Sequence, residues 1–255
     1  MTIRCQDYEF KAHRAIVCPQ SPFFKTALTR SFKEGTSGIV DLPEDDPGAL
    51  LSFLEFLYTG TYSVDELDED TVLGAVEETK THILTKLGCA PGSGDYTVTK
   101  STRGEVARRH RSDKRQWSPY TFKTSAAPVK GDKRAPRRWK LDHSARIYVL
   151  ADKYDVPALR LLARERFFEV GKDLLMCKKT WSTASWESTA FFSTIVEMIY
   201  KNTWSAEDPL RKALQMLISM KTEDDVMSKR MREEMKLNGE LAVGVMDYLK
   251  EAKKI

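Results

Sequence analysis

The stretch that decides the fold is YEFKAHRAIVCPQSPFF, residues 8–24. Residues 8–12 alternate polar and apolar side chains, as a half-buried strand does, and residues 2–5 alternate in the same way. Gln6-Asp7 lies between these two runs and predicts the turn of a β-hairpin. Further along, Ser21-Pro22 predicts the start of a helix, because serine caps a helix N-terminus and proline fits the first turn.

The stretch DPGALLSFLEFLYTG, residues 46–60, predicts a helix that is apolar nearly all round. Asp46-Pro47 begins this helix and Thr59-Gly60 ends it, since glycine favours a helix C-terminus. Only Ser52 and Glu55 interrupt the apolar side chains. Such a helix is either buried on every side or keeps one face for a partner, and the sequence leaves both alternatives open. Just before it, residues 38–42 predict a third strand.

From residue 64 to about residue 140 the pattern is different. An acidic run and a weak helical pattern come first, and residues 88–140 then lose apolar periodicity and are rich in Gly, Ser, Thr, Pro, Lys and Arg. Residues 100–140 hold 14 Lys or Arg against 3 Asp or Glu, although the whole chain has a net charge of only +4. This composition is typical of a segment that cannot bury enough apolar surface to fold, so we predict a basic, largely disordered insertion.

Helical spacing returns at His143 and continues to the C-terminus. Lys153-Tyr154-Asp155-Val156 predicts a turn between two helices, and Pro157 begins the second of them. A later stripe contains Phe191, Phe192, Ile195, Val196 and Ile199. A single last helix is predicted from the spacing of Met227, Met231, Leu241, Val245 and Leu249.

The sequence excludes several classes of protein. No apolar run approaches the ~20 residues that span a bilayer, and the four cysteines lie far apart, which argues against a disulfide scaffold or zinc fingers. We find no Gly-rich phosphate loop, no G-x-S-x-G motif and no His or Cys at ligand spacing. Acidic pairs such as Asp45-Asp46 are interpreted as helix N-terminal charges and solvated surface. We therefore predict a non-enzymatic intracellular protein, cytoplasmic or nuclear, with no catalytic residue, cofactor or metal ligand.

Five short motifs, in order, carry a resemblance to a known family. They are FKAHRAIV at residues 10–17, SPFF at 21–24, DLP at 41–43, FLYTG at 56–60 and LADKYDVPAL at 150–159. Together they resemble a BTB/POZ domain of the short type abundant in filamentous fungi. The resemblance implies an α+β fold, in which a small three-stranded sheet is flanked by a cluster of short helices, here with an all-helical C-terminal extension.

The predicted boundaries follow from these motifs. The first part of the BTB/POZ domain takes residues 1–64, and the low-complexity basic insertion takes residues 65–142. A helical hairpin at residues 143–170 closes the domain, and the helical extension covers residues 171–255. The resemblance also marks family-motif residues with structural roles, of which His13 packs at the strand-to-helix corner: Phe10, His13, Arg14, Tyr58, Gly60, Asp152 and Tyr154.

For function, the resemblance implies a protein partner bound through the apolar helix, with candidate contacts at Leu50, Leu51, Ser52 and Phe53. Many BTB/POZ proteins bind a cullin scaffold as substrate adaptors of a ubiquitin ligase, often with a hydrophobic-x-Glu element. The aligned position reads Leu50-Leu51-Ser52 without the acid, so modest cullin binding is expected. The elements exchanged between subunits in many animal relatives would precede Met1, so we expect at most weak self-association.

The basic segment supports an alternative from another class, a nuclear regulator bound to DNA or chromatin. Lys133, Arg134, Arg137 and Arg138 resemble a nuclear-import signal. Trp117, Tyr120 and Trp139 are available for stacking on bases in such a protein. A solvated linker, or a sequence that is not normally translated, explains the same composition, and a nucleic-acid partner is not our leading expectation.

Overall fold

The computed structural model describes residues 1–29, 32–63, 98–100 and 135–252. The described strands are β1 Thr2–Cys5, β2 Tyr8–Lys11, β3 Ile39–Asp41 and β4 Val98–Lys100. The helices before β4 are α1 Arg14–Gln20, α2 Pro22–Thr29, α3 Lys33–Ser37 and α4 Pro47–Thr59. Those after it are α5 Ala135–Lys153, α6 Pro157–Leu175, α7 Lys178–Trp181, α8 Ala190–Asn202, α9 Pro209–Met220, α10 Val226–Leu237 and α11 Gly239–Ala252.

The strands form one sheet in the order β3-β1-β2-β4. β1 and β2 are the predicted hairpin, antiparallel with Ile3 opposite Phe10, and Gln6 takes a positive φ of 53° at the turn. β3 pairs with β1 in parallel, so the three predicted strands are confirmed. β4 was not predicted: it pairs antiparallel with β2 and lies inside the segment predicted to be a largely disordered insertion.

The sequence signals at the two ends of α4 are confirmed. The Asp46 carboxylate accepts a hydrogen bond of 2.8 Å from the backbone N–H of Ala49, and Pro47 occupies the first turn. At the other end Gly60 adopts a φ of 76°, a left-handed conformation that glycine reaches without strain, and its N–H donates to Phe56 O. The helix Pro47–Thr59 therefore starts and stops where local chemistry predicts.

The described residues divide into two compact units. The first contains the described residues up to residue 100 together with Leu150–Leu159. Its core combines the inward faces of β1 and β2 with α4 and the turn after α5, with fully buried side chains at Ile3, Phe10, Phe24, Phe53, Leu54 and Tyr154.

The second unit contains residues 135–149 and the described residues from Arg160 onward, and all of its elements are helical. The predicted stripe of α8 is confirmed as core. A buried polar residue, Arg211 on α9, also connects elements of this unit. Its guanidinium donates hydrogen bonds of 2.7 Å to Thr203 Oγ1 and of 2.7 Å to Glu240 of α11. The predicted single last helix is wrong, because the chain breaks at Asn238 into α10 and α11.

The predicted boundaries around the insertion also need correction. Residues 64–97 and 101–134 lie outside the described residues, so the disorder of the insertion stays a prediction. At its C-terminal side the predicted insertion ends too late. Helix α5 begins at Ala135, and Trp139, Leu141 and Asp142 are already buried. Of the predicted closing hairpin, residues 143–170, only Leu150–Leu159 groups with the first unit. The rest of the predicted hairpin groups with the extension helices. For example, the Tyr148 hydroxyl donates a hydrogen bond to the carboxylate of Asp208, the N-cap of α9.

Candidate protein-interaction surface

The four predicted partner contacts on α4 do not form a surface. Leu50 and Phe53 are 0% exposed, and Leu51 and Ser52 are also buried. Of the two alternatives that the sequence left open, the structure therefore selects the helix buried on every side. Leu50, Leu51, Ser52 and Phe53 are corrected from partner contacts to core residues, because a side chain without accessible area cannot meet a partner.

An aromatic cluster explains the burial of α4. The ring of Tyr154 lies 5.5 Å from that of Phe53 on α4, and 4.8 Å and 5.2 Å from those of Phe23 and Phe24 on α2. These are favourable centroid separations for offset or edge-on aromatic pairs. Ser21, just before α2, donates from its hydroxyl to the backbone oxygen of Tyr154 over 2.6 Å. Tyr154 therefore joins the turn after α5 to both α2 and α4.

Asp45 is the polar centre of this unit and was missed by the sequence analysis. Its carboxylate accepts hydrogen bonds from the Tyr154 hydroxyl and, over 2.7 Å, from Lys153 Nζ. Its backbone oxygen accepts from the Cys5 thiol and, over 2.8 Å, from Gln6 Nε2. Asp45 is buried, contrary to the predicted solvated surface, whereas its neighbour Asp46 is the predicted helix cap. The cation that pairs with Asp45 is Lys153, about 110 positions further along the chain, so no local sequence pattern predicts this ion pair.

Among the family-motif residues of the first unit, His13 and Tyr58 contact each other. The hydroxyl of Tyr58 accepts from the backbone N–H of His13 over 2.8 Å and lies 2.7 Å from His13 Nδ1. This contact fixes His13 at the corner between β2 and α1. Arg14 is exposed and its guanidinium approaches Gly38, while Phe10 is core and Asp152 is exposed.

Two polar groups of this cluster, Cys5 and Tyr154, have raised pKa values. Burial, with a further contribution from Asp45, raises the pKa of the Cys5 thiol to about 12, so Cys5 stays protonated. Burial and the hydrogen bond to Asp45 raise the pKa of Tyr154 as well. Within the described part of the chain, no three His, Cys, Asp or Glu side chains cluster in a way that would hold a metal ion.

An open groove of about 580 Å³ lies beside the aromatic cluster. Phe23 and Phe32 are the large apolar side chains that stay exposed among the described residues of the first unit, and both line this groove. Phe32 is 49% exposed at the start of α3. We call this surface the α2–α3 groove; its walls include Pro22, Phe23, Ala27, Phe32, Glu34 and Leu42.

The basic segment contributes less surface than predicted where the structure describes it. The indole of Trp139 is buried and stacks on His143 at 4.5 Å, so it is not available to nucleic-acid bases. The Arg138 guanidinium lies 5.0 Å from the Phe191 ring in a cation–π contact, whereas Arg137 is exposed. Lys133, Arg134, Trp117 and Tyr120 lie outside the described residues, so the import signal stays a prediction.

Comparison with known proteins identifies one domain of the chain. The family model for the BTB/POZ domain matches residues 1–86. The chain carries a BTB/POZ domain. Zinc finger and BTB domain-containing protein 44 of Rattus norvegicus is 32% identical over 75 residues, which cover 29% of this chain and 17% of that protein. Kelch-like protein 28 of Mus musculus is 27% identical over 88 residues, or 34% of this chain and 15% of that protein.

The BTB/POZ match supports a protein-interaction module at residues 1–86. The matched residues span less than a fifth of either relative, so the likeness concerns this domain and not the remainder of those proteins. Among the helices described, none combines the length and the apolar character needed to cross a lipid bilayer. Among the described residues of the domain, large exposed apolar side chains lie at the α2–α3 groove and not on α4.

Proposed function

We propose that this chain is a non-enzymatic adaptor that docks a cullin scaffold at the α2–α3 groove and presents a second, captured protein to a ubiquitin ligase. The observation that carries the proposal is the contrast in exposure between the two candidate surfaces. Phe23 and Phe32 keep accessible apolar area beside a concave wall, whereas Leu50 and Phe53 have none. An exposed aromatic side chain at a groove is the usual chemistry of an interface anchor.

The hydrophobic-x-Glu element of cullin-binding BTB/POZ domains has a match at this groove. Phe32-Lys33-Glu34 has the required spacing, and both Phe32 and Glu34 line the groove. Phe32 would insert its ring into an apolar pocket of the partner. Glu34 would accept a charge-assisted hydrogen bond at the edge of the contact, where such bonds are stronger than neutral ones. The acid missing from Leu50-Leu51-Ser52 is thus supplied elsewhere on the domain.

The proposal is tested by titration calorimetry of the full chain with a cullin N-terminal domain. We expect measurable binding that Phe32→Asp weakens at least about tenfold, since losing an anchor at an interface costs more than about 1.4 kcal/mol. Glu34→Gln should weaken binding about tenfold to a hundredfold, which is the effect of losing one charge-assisted hydrogen bond.

The matched control is Leu161→Asp, because Leu161 is also an exposed apolar residue but lies on α6, in the second unit. This variant should bind like the wild type. Leu50→Asp is unsuitable as a binding test, because a carboxylate at a fully buried position disrupts folding. Failure of the wild type to bind would overturn the adaptor proposal, and equal losses in Phe32→Asp and Leu161→Asp would overturn the choice of surface.

A further inference from the structure

The last helix, α11, has an exposed apolar face that the second unit does not cover. Val243 and Met246 are 58% and 56% exposed, and Leu249 is 40% exposed. These residues are spaced by three, so they follow one another along one side of the helix. Leu241 and Val245 face the rest of the unit and are buried, and Leu249 lies one turn beyond Val245 at the edge of the exposed face. We call the exposed set Val243, Met246 and Leu249 the α11 stripe.

The helix that carries this stripe is firmly held. The buried Arg211 donates to Glu240 in the first turn of α11. One turn later Gly244 lies so close to the Gln215 side chain of α9 that a Cβ at this position would be 2.1 Å from Gln215 Nε2. The α11 stripe is therefore presented by a fixed helix, and a partner would find it already formed.

We infer that the α11 stripe binds the same stripe of a second copy of this chain, with the two helices antiparallel. The stripe is symmetric about Met246, because Val243 and Leu249 lie three residues on either side of it. A two-fold axis through the two Met246 side chains therefore sets Val243 of each copy against Leu249 of the other. Such self-complementarity is what a two-fold symmetric interface requires.

The charges at the ends of the stripe favour the antiparallel orientation. Glu240 lies at the N-terminal end of α11, and Lys250, whose ammonium is 3.4 Å from the exposed Asp247 of the same helix, lies near its C-terminal end. Glu240 remains 73% exposed while it accepts from Arg211, so its carboxylate is accessible to a further donor. In the antiparallel pair, Lys250 of one copy lies only two residues, about 3 Å of helical rise, out of line with Glu240 of the other. A parallel pair would instead set Glu240 beside Glu240 and Lys250 beside Lys250.

The size of the surface sets the expected strength. A helix of 14 residues is about 21 Å long, so one helix pair buries less than the about 800 Å² per partner of a standard stable interface. We therefore expect a reversible dimer with a dissociation constant of about 10–100 µM.

Sedimentation velocity of the full chain from 1 to 300 µM tests the inference. The wild type should shift from the 29.1 kDa monomer towards twice that mass. Met246→Glu should raise the dissociation constant more than about tenfold, because it places two like charges on the symmetry axis. The matched control is Leu161→Glu, whose wild-type side chain is 55% exposed against 56% for Met246, and it should associate normally. Unchanged melting curves would show that each variant is folded.

Orientation is tested separately with Met246→Cys under mild oxidation. We expect a disulfide between the residues 246 of two copies, identified by mass spectrometry of the linked peptide, since a two-fold axis brings these positions together. A wild type that stays monomeric at 300 µM, or a dimer that Met246→Glu leaves intact, would overturn the inference. A dimer sensitive to Met246→Glu but without this disulfide would overturn the antiparallel register.

Discussion

Replacing Asp45 with alanine would test whether one buried carboxylate holds the first unit together. The variant removes the acceptor of both the Tyr154 hydroxyl and Lys153 Nζ, while the backbone oxygen that serves Cys5 and Gln6 remains. Tyr154 is fully buried, so its hydroxyl would be left without this partner in an apolar environment. We expect the unit to stay folded but to open more often.

The magnitude follows from the exposure of the two donors. Losing a hydrogen bond between a buried hydroxyl and a charged acceptor costs about 1.5–3 kcal/mol. The Lys153 side chain is about half exposed, so its ion pair adds at most about 1 kcal/mol. The free energy of opening should therefore fall by about 3 kcal/mol, which raises exchange from the open state about a hundredfold.

Amide hydrogen exchange read by mass spectrometry is the suitable assay, because peptides from β2 and α4 report the first unit directly. The matched control is Glu44→Ala, which removes an exposed acid at the adjacent position. An increase of less than threefold in the α4 peptides of Asp45→Ala would refute the reasoning. An equal increase in the Glu44→Ala variant would refute it as well.

Two further predictions concern the second unit, and both are read by urea unfolding with tryptophan fluorescence. Burial lowers the pKa of His143 from 6.5 to about 3, so the unfolded chain binds the extra proton between these values. The free energy of unfolding should therefore fall by about 1.4 kcal/mol per pH unit as the pH drops below 6.5. This pH dependence should disappear in His143→Gln and remain in the control His13→Gln. Gly244→Ala should destabilise the unit by about 1 kcal/mol, because crowding against the end of the buried Gln215 side chain outweighs the about 1 kcal/mol that alanine gains over glycine within a helix. Gly239→Ala, where a Cβ meets nothing within 4 Å, should be nearly neutral, and equal effects at the two glycines would contradict the packing.

The parts of the fold that could be predicted are those written in short local signals. The β1–β2 turn at Gln6 and the ends of α4 at Asp46 and Gly60 depend on the conformational and capping preferences of a few neighbouring residues. Periodicity likewise identified the buried stripe of α8, because the spacing of apolar residues is a property of the helix itself. Such features need no knowledge of the rest of the chain.

The parts that could not be predicted depend on distant partners. β4 has three residues, Val98–Lys100, and becomes a strand by pairing with β2, nearly 90 positions away. The start of α5 was not predicted because its sequence is basic. A count of charges does not reveal that Arg138 lies over the Phe191 ring or that Trp139 stacks on His143. A planar guanidinium can pack against aromatic rings while it remains charged.

The same distinction governs the candidate site. The most continuously apolar helix, α4, was the predicted docking surface, but a helix that is apolar on all sides is usually buried in the core. An apolar side chain can bind a partner only if it stays exposed in the free protein. Phe32 meets this condition because it begins a short helix whose next residue, Lys33, is exposed and whose Glu34 borders the groove. The proposed docking residue is therefore an isolated apolar side chain, and its exposure becomes visible only when the packing of the sheet and α4 is known.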